Sequence, residues 1–199
     1  MPEPEPSLDR RLADAIERLG NGLRSLSQHS ARTQGLSPLQ QQAVLSLARQ
    51  PAARREVNAL AAAFDVTTPT MSDAVSALER KELLTRSPGS DGRRRLLTLT
   101  DRGHEVAAEL ADWDEQLVRS LAARPEADRA TTLHTLLRVI ADLQATGAIS
   151  VARVCTTCRF FGPDTHPDPR APHHCHLLRQ PLALTDLRTD CPEHEQATA

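Results

Sequence analysis

Four cysteines, the only ones in the chain, lie in its last quarter with the spacing Cys155-x2-Cys158-x16-Cys175-x15-Cys191. The close pair forms one knuckle that aims two sulfurs at a shared centre, and two distant singles complete a set of four thiolates. Such a set suits a tetrahedral zinc ion or an iron–sulfur cluster. A zinc ribbon needs a second Cys-x2-Cys where this chain has single cysteines. His173, His174, His176 and His194 could replace one thiolate or hydrogen bond to the sulfurs from outside. Phe160 and Phe161 follow the knuckle and give a module otherwise poor in apolar residues something to pack around a metal. A reversible disulfide between Cys155 and Cys158, and an idle tail, are weaker readings of the same residues.

The second group with chemical potential is basic. Between Arg80 and Arg102 stand seven positive residues (Arg80, Lys81, Arg86, Arg93, Arg94, Arg95, Arg102) against three negative ones (Glu82, Asp91, Asp101). Upstream, the run from Thr67 to Ser76 places Thr68, Thr70, Ser72, Asp73 and Ser76 on the polar side of a helix. Short polar side chains let a helix enter the major groove of DNA, and arginines reach phosphates. The same threonines also suit helix capping, at Thr67 and Thr68 above all. In a strand Arg93 and Arg95 share one face and Arg94 takes the other, so at most two of the three enter one groove.

The elements that must position these groups follow from periodicity and punctuation. Leu8, Leu12, Ile16, Leu19, Leu23 and Leu26 mark a long amphipathic helix from Leu8 to about Ser30. Ser37-Pro38 starts a second helix that runs to Gln50-Pro51. A third from Arg54 to Phe64 breaks at Asp65-Val66-Thr67, and a fourth carries Val75, Leu78 and Leu83 inward, giving a helix-turn-helix pattern. Two β-prone runs around Pro88-Gly89-Ser90-Asp91-Gly92 read as a hairpin. Thr100-Asp101 caps a long helical stretch through Val106, Leu110, Trp113, Leu117 and Leu121, interrupted at Pro125. A last helix through Leu133, Leu136, Leu137, Ile140 and Leu143 stops at Gly147. From about Ser150 prolines, histidines and cysteines crowd into a loop-rich module.

The 199 residues suffice for one cored domain plus an appendage, and a net charge of −2 confines any nucleic-acid surface to a local patch. With no tyrosine, the core must be aliphatic, which favours packed helices. The acidic, proline-rich MPEPEP start lacks a leader's apolar core, and no run approaches a membrane span, so a cytoplasmic location is expected. There is no His-Glu-x-x-His, no phosphate-cradling glycine loop and no Gly-x-Ser-x-Gly, which argues against an enzyme.

The string ALERKELLTRSPGSDGRRRLLTLTDRGHEV, Ala77 to Val106, resembles the winged-helix segment of the multiple-antibiotic-resistance regulator (MarR) family. The matching positions are Leu78-Glu79, Leu83-Leu84, Arg86, Asp91 with Arg93, and Leu99-Thr100 with Gly103. Glu82 stands where many members carry glycine. Over Leu8 to Gly147 the resemblance implies a mainly α fold with a small β-hairpin wing, a winged helix-turn-helix with a helical dimerisation region (8–34 and 101–147), to which the loop-rich four-cysteine module is appended. The expected division is 1–7 as an unstructured N-terminus, 8–148 as the MarR-type domain and 149–199 as the metal or iron–sulfur module.

The resemblance further implies a homodimeric transcriptional regulator, a repressor, on a pseudo-palindromic double-stranded DNA operator. Thr67 to Ser76 would read the major groove, Arg93 would enter the minor groove, and Asp91 would orient Arg93. Arg86, Arg94 and Arg95 complete the DNA-facing set. For such a regulator an iron–sulfur cluster is favoured over zinc, because a cluster can be oxidised, lost or exchanged and so provides a redox input. The alternatives are a small, phenolic effector sensed elsewhere with a purely structural zinc in the tail, and a metal-stapled tail that binds another protein.

Overall fold

The computed structural model describes residues 6–50, 55–88, 95–150 and 152–197. Its elements run α1 (Leu8–Thr33), α2 (Pro38–Arg49), α3 (Val57–Ala63), α4 (Thr68–Arg80), β1 (Leu84–Pro88), β2 (Arg95–Leu99), α5 (Asp101–Glu109), α6 (Glu115–Ala122) and α7 (Glu126–Ala145). Three short strands follow: β3 (Phe161–Gly162), β4 (His173–Cys175) and β5 (Gln180–Leu182). The expected mainly α architecture with a two-stranded wing is present. By its contacts the chain divides into two compact units, Met1–Arg49 with Asp73–Val118, and Gln50–Ser72 with Arg119–Ala199.

Within the first unit an aliphatic core forms from Ala43, Val44, Leu45 and Leu47 of α2, Val75 and Leu78 of α4, Leu84, Leu97 and Leu99 of the hairpin, and Ala107 and Leu110. Burying each large side chain stabilises by roughly 1.5–3 kcal/mol. The hairpin is antiparallel, with Leu84 opposite Leu99 and Arg86 opposite Leu97. Buried Gln41 is satisfied within the same unit: Ser27 Oγ donates to its Oε1 at 3.0 Å, and its Nε2 donates to Ser30 Oγ at 3.2 Å.

Several boundaries rest on identifiable caps. The amide of Gln40 donates to Ser37 Oγ and the Gln40 side chain accepts the Ser37 amide, a reciprocal capping box that starts α2. Thr100 starts α5: its hydroxyl accepts the Gly103 amide at 3.0 Å and donates to the Glu82 carbonyl at 2.7 Å. Gly103 is required there, since a Cβ on it would stand 2.0 Å from the Leu83 carbonyl oxygen.

Helices α1, α3, α4 and α7 end in one motif, a left-handed residue followed by an amide that reaches back five residues. The left-handed residues are Gly35, Asp65, Glu82 and Gly147, and the closing bonds are Leu36 to Ala31, Val66 to Ala61, Leu83 to Leu78 and Ala148 to Leu143. Glu82, which stands where many members of the resembled family carry glycine, therefore keeps the glycine conformation at φ 59°.

Two expectations need correction. The third helix begins at Val57, three residues after Arg54, which itself lies outside the described residues. The stretch after Thr100 is two helices, because residues 111–115 close in tight i to i+3 turns and the Asp114 carbonyl accepts the Val118 amide to begin α6 anew. The tail is loop-rich as expected, and within its loops it carries a small three-stranded antiparallel sheet in the order β3-β4-β5.

In the second unit this sheet and its loops share a core with α7. Leu137 of α7, Ala152, Val154, Leu182 and Leu187 are buried together, and Leu133, Ile140, Phe161, Cys155 and Cys175 pack around them. Among the described residues no helix is long and apolar enough to cross a membrane.

Candidate nucleic-acid interface and cysteine pocket

The α3–turn–α4 segment is built by the left-handed Asp65 and by Thr67, whose hydroxyl accepts the Thr70 amide at 3.3 Å and lies 2.7 Å from Thr70 Oγ1. Thr67 is thus the cap of α4. Met71, Val75 and Leu78 are fully buried, while Thr68, Thr70 and Asp73 are exposed and Ser72 and Ser76 are half-buried. A helix with this pattern keeps one side in the core and presents short polar groups on the other.

Arg86 behaves differently from the other basic residues. Its register opposite Leu97 puts it on the hairpin's inner face, where Nη2 donates to Ser76 Oγ at 2.8 Å. Its Nε stands 3.1 Å from Glu79 Oε2, close enough for charge pairing but not aligned as a hydrogen bond. The Leu-Glu and Arg positions of the family pattern are therefore cross-linked with each other, and Ser76 and Arg86 have an internal structural role. Arg95 is exposed at the start of β2. Asp91, Arg93 and Arg94 lie outside the described residues.

All four cysteines line one cavity of about 190 Å³, together with Phe160, Phe161, Leu177, Leu178, Leu182 and Arg188. None of the four thiols is in a disulfide, and each is partly buried. Cys155–Thr157 form a 3₁₀ turn, the Cys158 amide donates to the Cys155 carbonyl at 3.0 Å, and the Phe161 amide donates to the Cys158 carbonyl at 3.0 Å. Cys175 sits on β4 opposite Phe161 and Gln180. The Arg188 amide donates to Cys155 Sγ at 3.2 Å, and its guanidinium approaches Cys191 Sγ at 3.9 Å. Burial pushes the Cys155 thiol up, the Arg188 amide pulls it back, and the three neighbouring thiols push it up again. Even so, no three His, Cys, Asp or Glu side chains among the described residues form a set that would hold a single metal ion.

The four histidines named with the cysteines lie outside this cavity's lining. His173 is buried, its Nδ1 accepting the Asp164 amide at 3.1 Å, with its ring 5.2 Å from that of His134 and 5.1 Å from that of Phe161. Burial lowers its pKa, Asp164 opposes this and His134 reinforces it. A neutral ring with Nδ1 accepting carries its proton on Nε2. His174 and His176 stack edge-on, and His166 Nε2 lies 2.9 Å from His174 Nδ1. His194 meets Thr157 Oγ1 at 2.8 Å; since that hydroxyl donates its one proton to the Ala152 carbonyl at 2.7 Å, the imidazole is the donor. On β4 His174 faces away from Cys175, whereas His173 shares the Cys175 face and packs instead on His134 and Phe161.

A family model described as MarR family matches residues 34–95. No curated protein sequence matches the chain. Among solved structures, the Staphylococcus aureus MepR–DNA complex aligns with a TM-score of 0.60 at 18% identity, over 70% of this chain and 100% of that one. BldR from Sulfolobus solfataricus aligns at 0.55 and 22% over 67% and 95%. A MarR family regulator from Rhodococcus sp. RHA1 aligns at 0.55 and 20% over 68% and 96%. At these identities the structures speak for the fold alone. Over residues 34–95, less than half of its length, this chain is similar to the MarR family.

Proposed function

We propose that the protein is a DNA-binding transcriptional regulator, a repressor acting as a homodimer, whose four C-terminal cysteines hold an iron–sulfur cluster that controls DNA binding. The observation that carries the DNA reading is the α4 face of Thr68, Thr70 and Asp73, left exposed on a helix that a hairpin with an arginine-rich sequence follows in the chain, in a MarR-type frame. A solved relative of the same fold is a MepR–DNA complex. Dimerisation is supported by the apolar stripe of α1, where Leu8, Leu12, Ile16 and Leu19 are all more than half exposed.

The cluster reading rests on the cysteine cavity. Zinc draws four sulfurs to about 2.3 Å from one point. Cysteines around a cluster stand further apart, because the cluster brings its own sulfide. Four thiols that share one cavity supply the thiolate set a cluster needs, and a cluster, which can be oxidised, lost or exchanged, gives a regulator the input that a closed zinc site does not. The apolar wall and the Arg188 amide on Cys155 Sγ are the surroundings that tune a cluster's potential. When bound, the cluster would supply one-electron chemistry.

Two measurements test this. Anaerobically purified protein should be coloured and contain iron and acid-labile sulfide; colourless protein with stoichiometric zinc overturns the cluster. Selection from random duplexes should return a pseudo-palindrome with half-sites about 10 base pairs apart, and Arg93→Ala should weaken binding to it at moderate salt. Undiminished binding by that variant overturns the wing assignment.

A further inference from the structure

The cysteine-bearing extension reaches beyond its own core and holds α3 at both ends. Asp190, the residue before Cys191, accepts two bonds of 2.9 Å, from Arg153 Nε to Oδ1 and from Gln50 Nε2 to Oδ2. The Cys191 amide donates to the Arg153 carbonyl at 2.9 Å, so Arg153 braces both residues. Gln50 directly follows α2 and leads toward α3, and its carbonyl accepts Arg55 Nε at 2.9 Å. Beyond the other end of α3, the Ser150 hydroxyl donates to Asp65 Oδ1. Asp65 is the left-handed residue in the turn between α3 and α4.

We infer that Asp190 and Ser150 form a two-point clamp through which the state of the cysteine pocket reaches the helix-turn-helix. The inference rests on the reading that the four cysteines hold a group whose loss or oxidation changes DNA binding. A bound group fixes the Cys191 sulfur, and the one-residue step to Asp190 then fixes the carboxylate that holds Gln50. Release of Cys191 frees that carboxylate. The lead into α3 loses a charge-assisted bond, and the α3–turn–α4 segment loses one of its two anchors. Ser150 is the second anchor, just past the end of α7, and ties the turn itself. Coupling of this sort shifts the population of a binding-competent arrangement, and its size equals the difference in clamp strength between the two states of the pocket.

The test uses full-length protein carrying Ser150→Ala and Asp190→Ala together. Neither residue is a thiol ligand or part of the exposed α4 face, so the variant should load iron with the wild-type absorption spectrum. The wild type should change its affinity for the selected duplex by about 5–150-fold between cluster-loaded and cluster-free forms. In the variant that ratio should collapse to within about 2-fold. A variant that keeps the wild-type ratio overturns the clamp. A wild-type ratio of one overturns the coupling altogether, whereas wild-type protein without iron overturns the cluster reading alone.

The clamp has its own readout that needs no cluster. Hydrogen exchange at the amides of residues 57–71 should be faster in Asp190→Ala than in wild type, with α2 and the hairpin unchanged. Identical exchange overturns the clamp.

Discussion

The wing and the cysteine extension are both small antiparallel sheets, and they are stabilised by different means. The wing has five-residue strands whose Leu84, Leu97 and Leu99 are buried, and α5 is drawn tight against it by Thr100 and Gly103. The extension has strands of two or three residues and a buried set that borrows Leu137 from α7. A sheet that short does not bury enough to stand alone. It depends on a helix on one side and, in our proposal, on a cluster bound in the cysteine cavity. Regulation is better placed in the second kind of structure, whose order depends on something that can be taken away.

Three substitutions sharpen that contrast, in descending order of effect. Gly103→Ala would press a methyl group into the Leu83 carbonyl. It should cost more than about 4 kcal/mol in urea unfolding, with α5 and the hairpin losing exchange protection first. A loss below about 1 kcal/mol would show that the α5 junction is not as tight as described. Leu137→Ala should cost about 2–5 kcal/mol and loosen the extension. Protease should then cut between residues 152 and 187 while the hairpin stays protected; simultaneous loss of both would make the two sheets one cooperative unit. Glu82→Gly is the mildest. It relieves a left-handed side chain worth about 1–2 kcal/mol against a glycine entropy cost of about 0.5–1 kcal/mol. The urea midpoint should rise slightly at constant slope, and a fall would mean that the exposed pairing of Glu82 with Arg102, at 3.9 Å, outweighs the backbone strain.

Much of the winged-helix part was legible because its signals are local. Ser37-Pro38, Thr100-Asp101 and Gly147 each act within four residues, and the leucine periods of α1, α2 and α7 are long enough to repeat. The break between α5 and α6 was not legible, since no proline or glycine marks it and Leu110, Trp113 and Leu117 keep their period across it. The extension's strands are too short to show any period, so its sheet was hidden. The cysteines could be grouped by spacing, whereas the histidines could not be parted from them. His174 and Cys175 are neighbours in sequence and point to opposite faces. The bonds from Ser150 to Asp65 and from Gln50 to Asp190 join residues 85 and 140 positions apart, and no local signal announces them.

Glycine at position 65 would adopt the left-handed bend more easily than aspartate does. It would also be silent. An aspartate at the bend gives the turn between α3 and α4 a side chain that a distant part of the chain can grasp. The energetic penalty of the bend and the handle it provides come from the same Cβ, so a residue that looks like a poor choice for folding is the one that lets the turn be addressed.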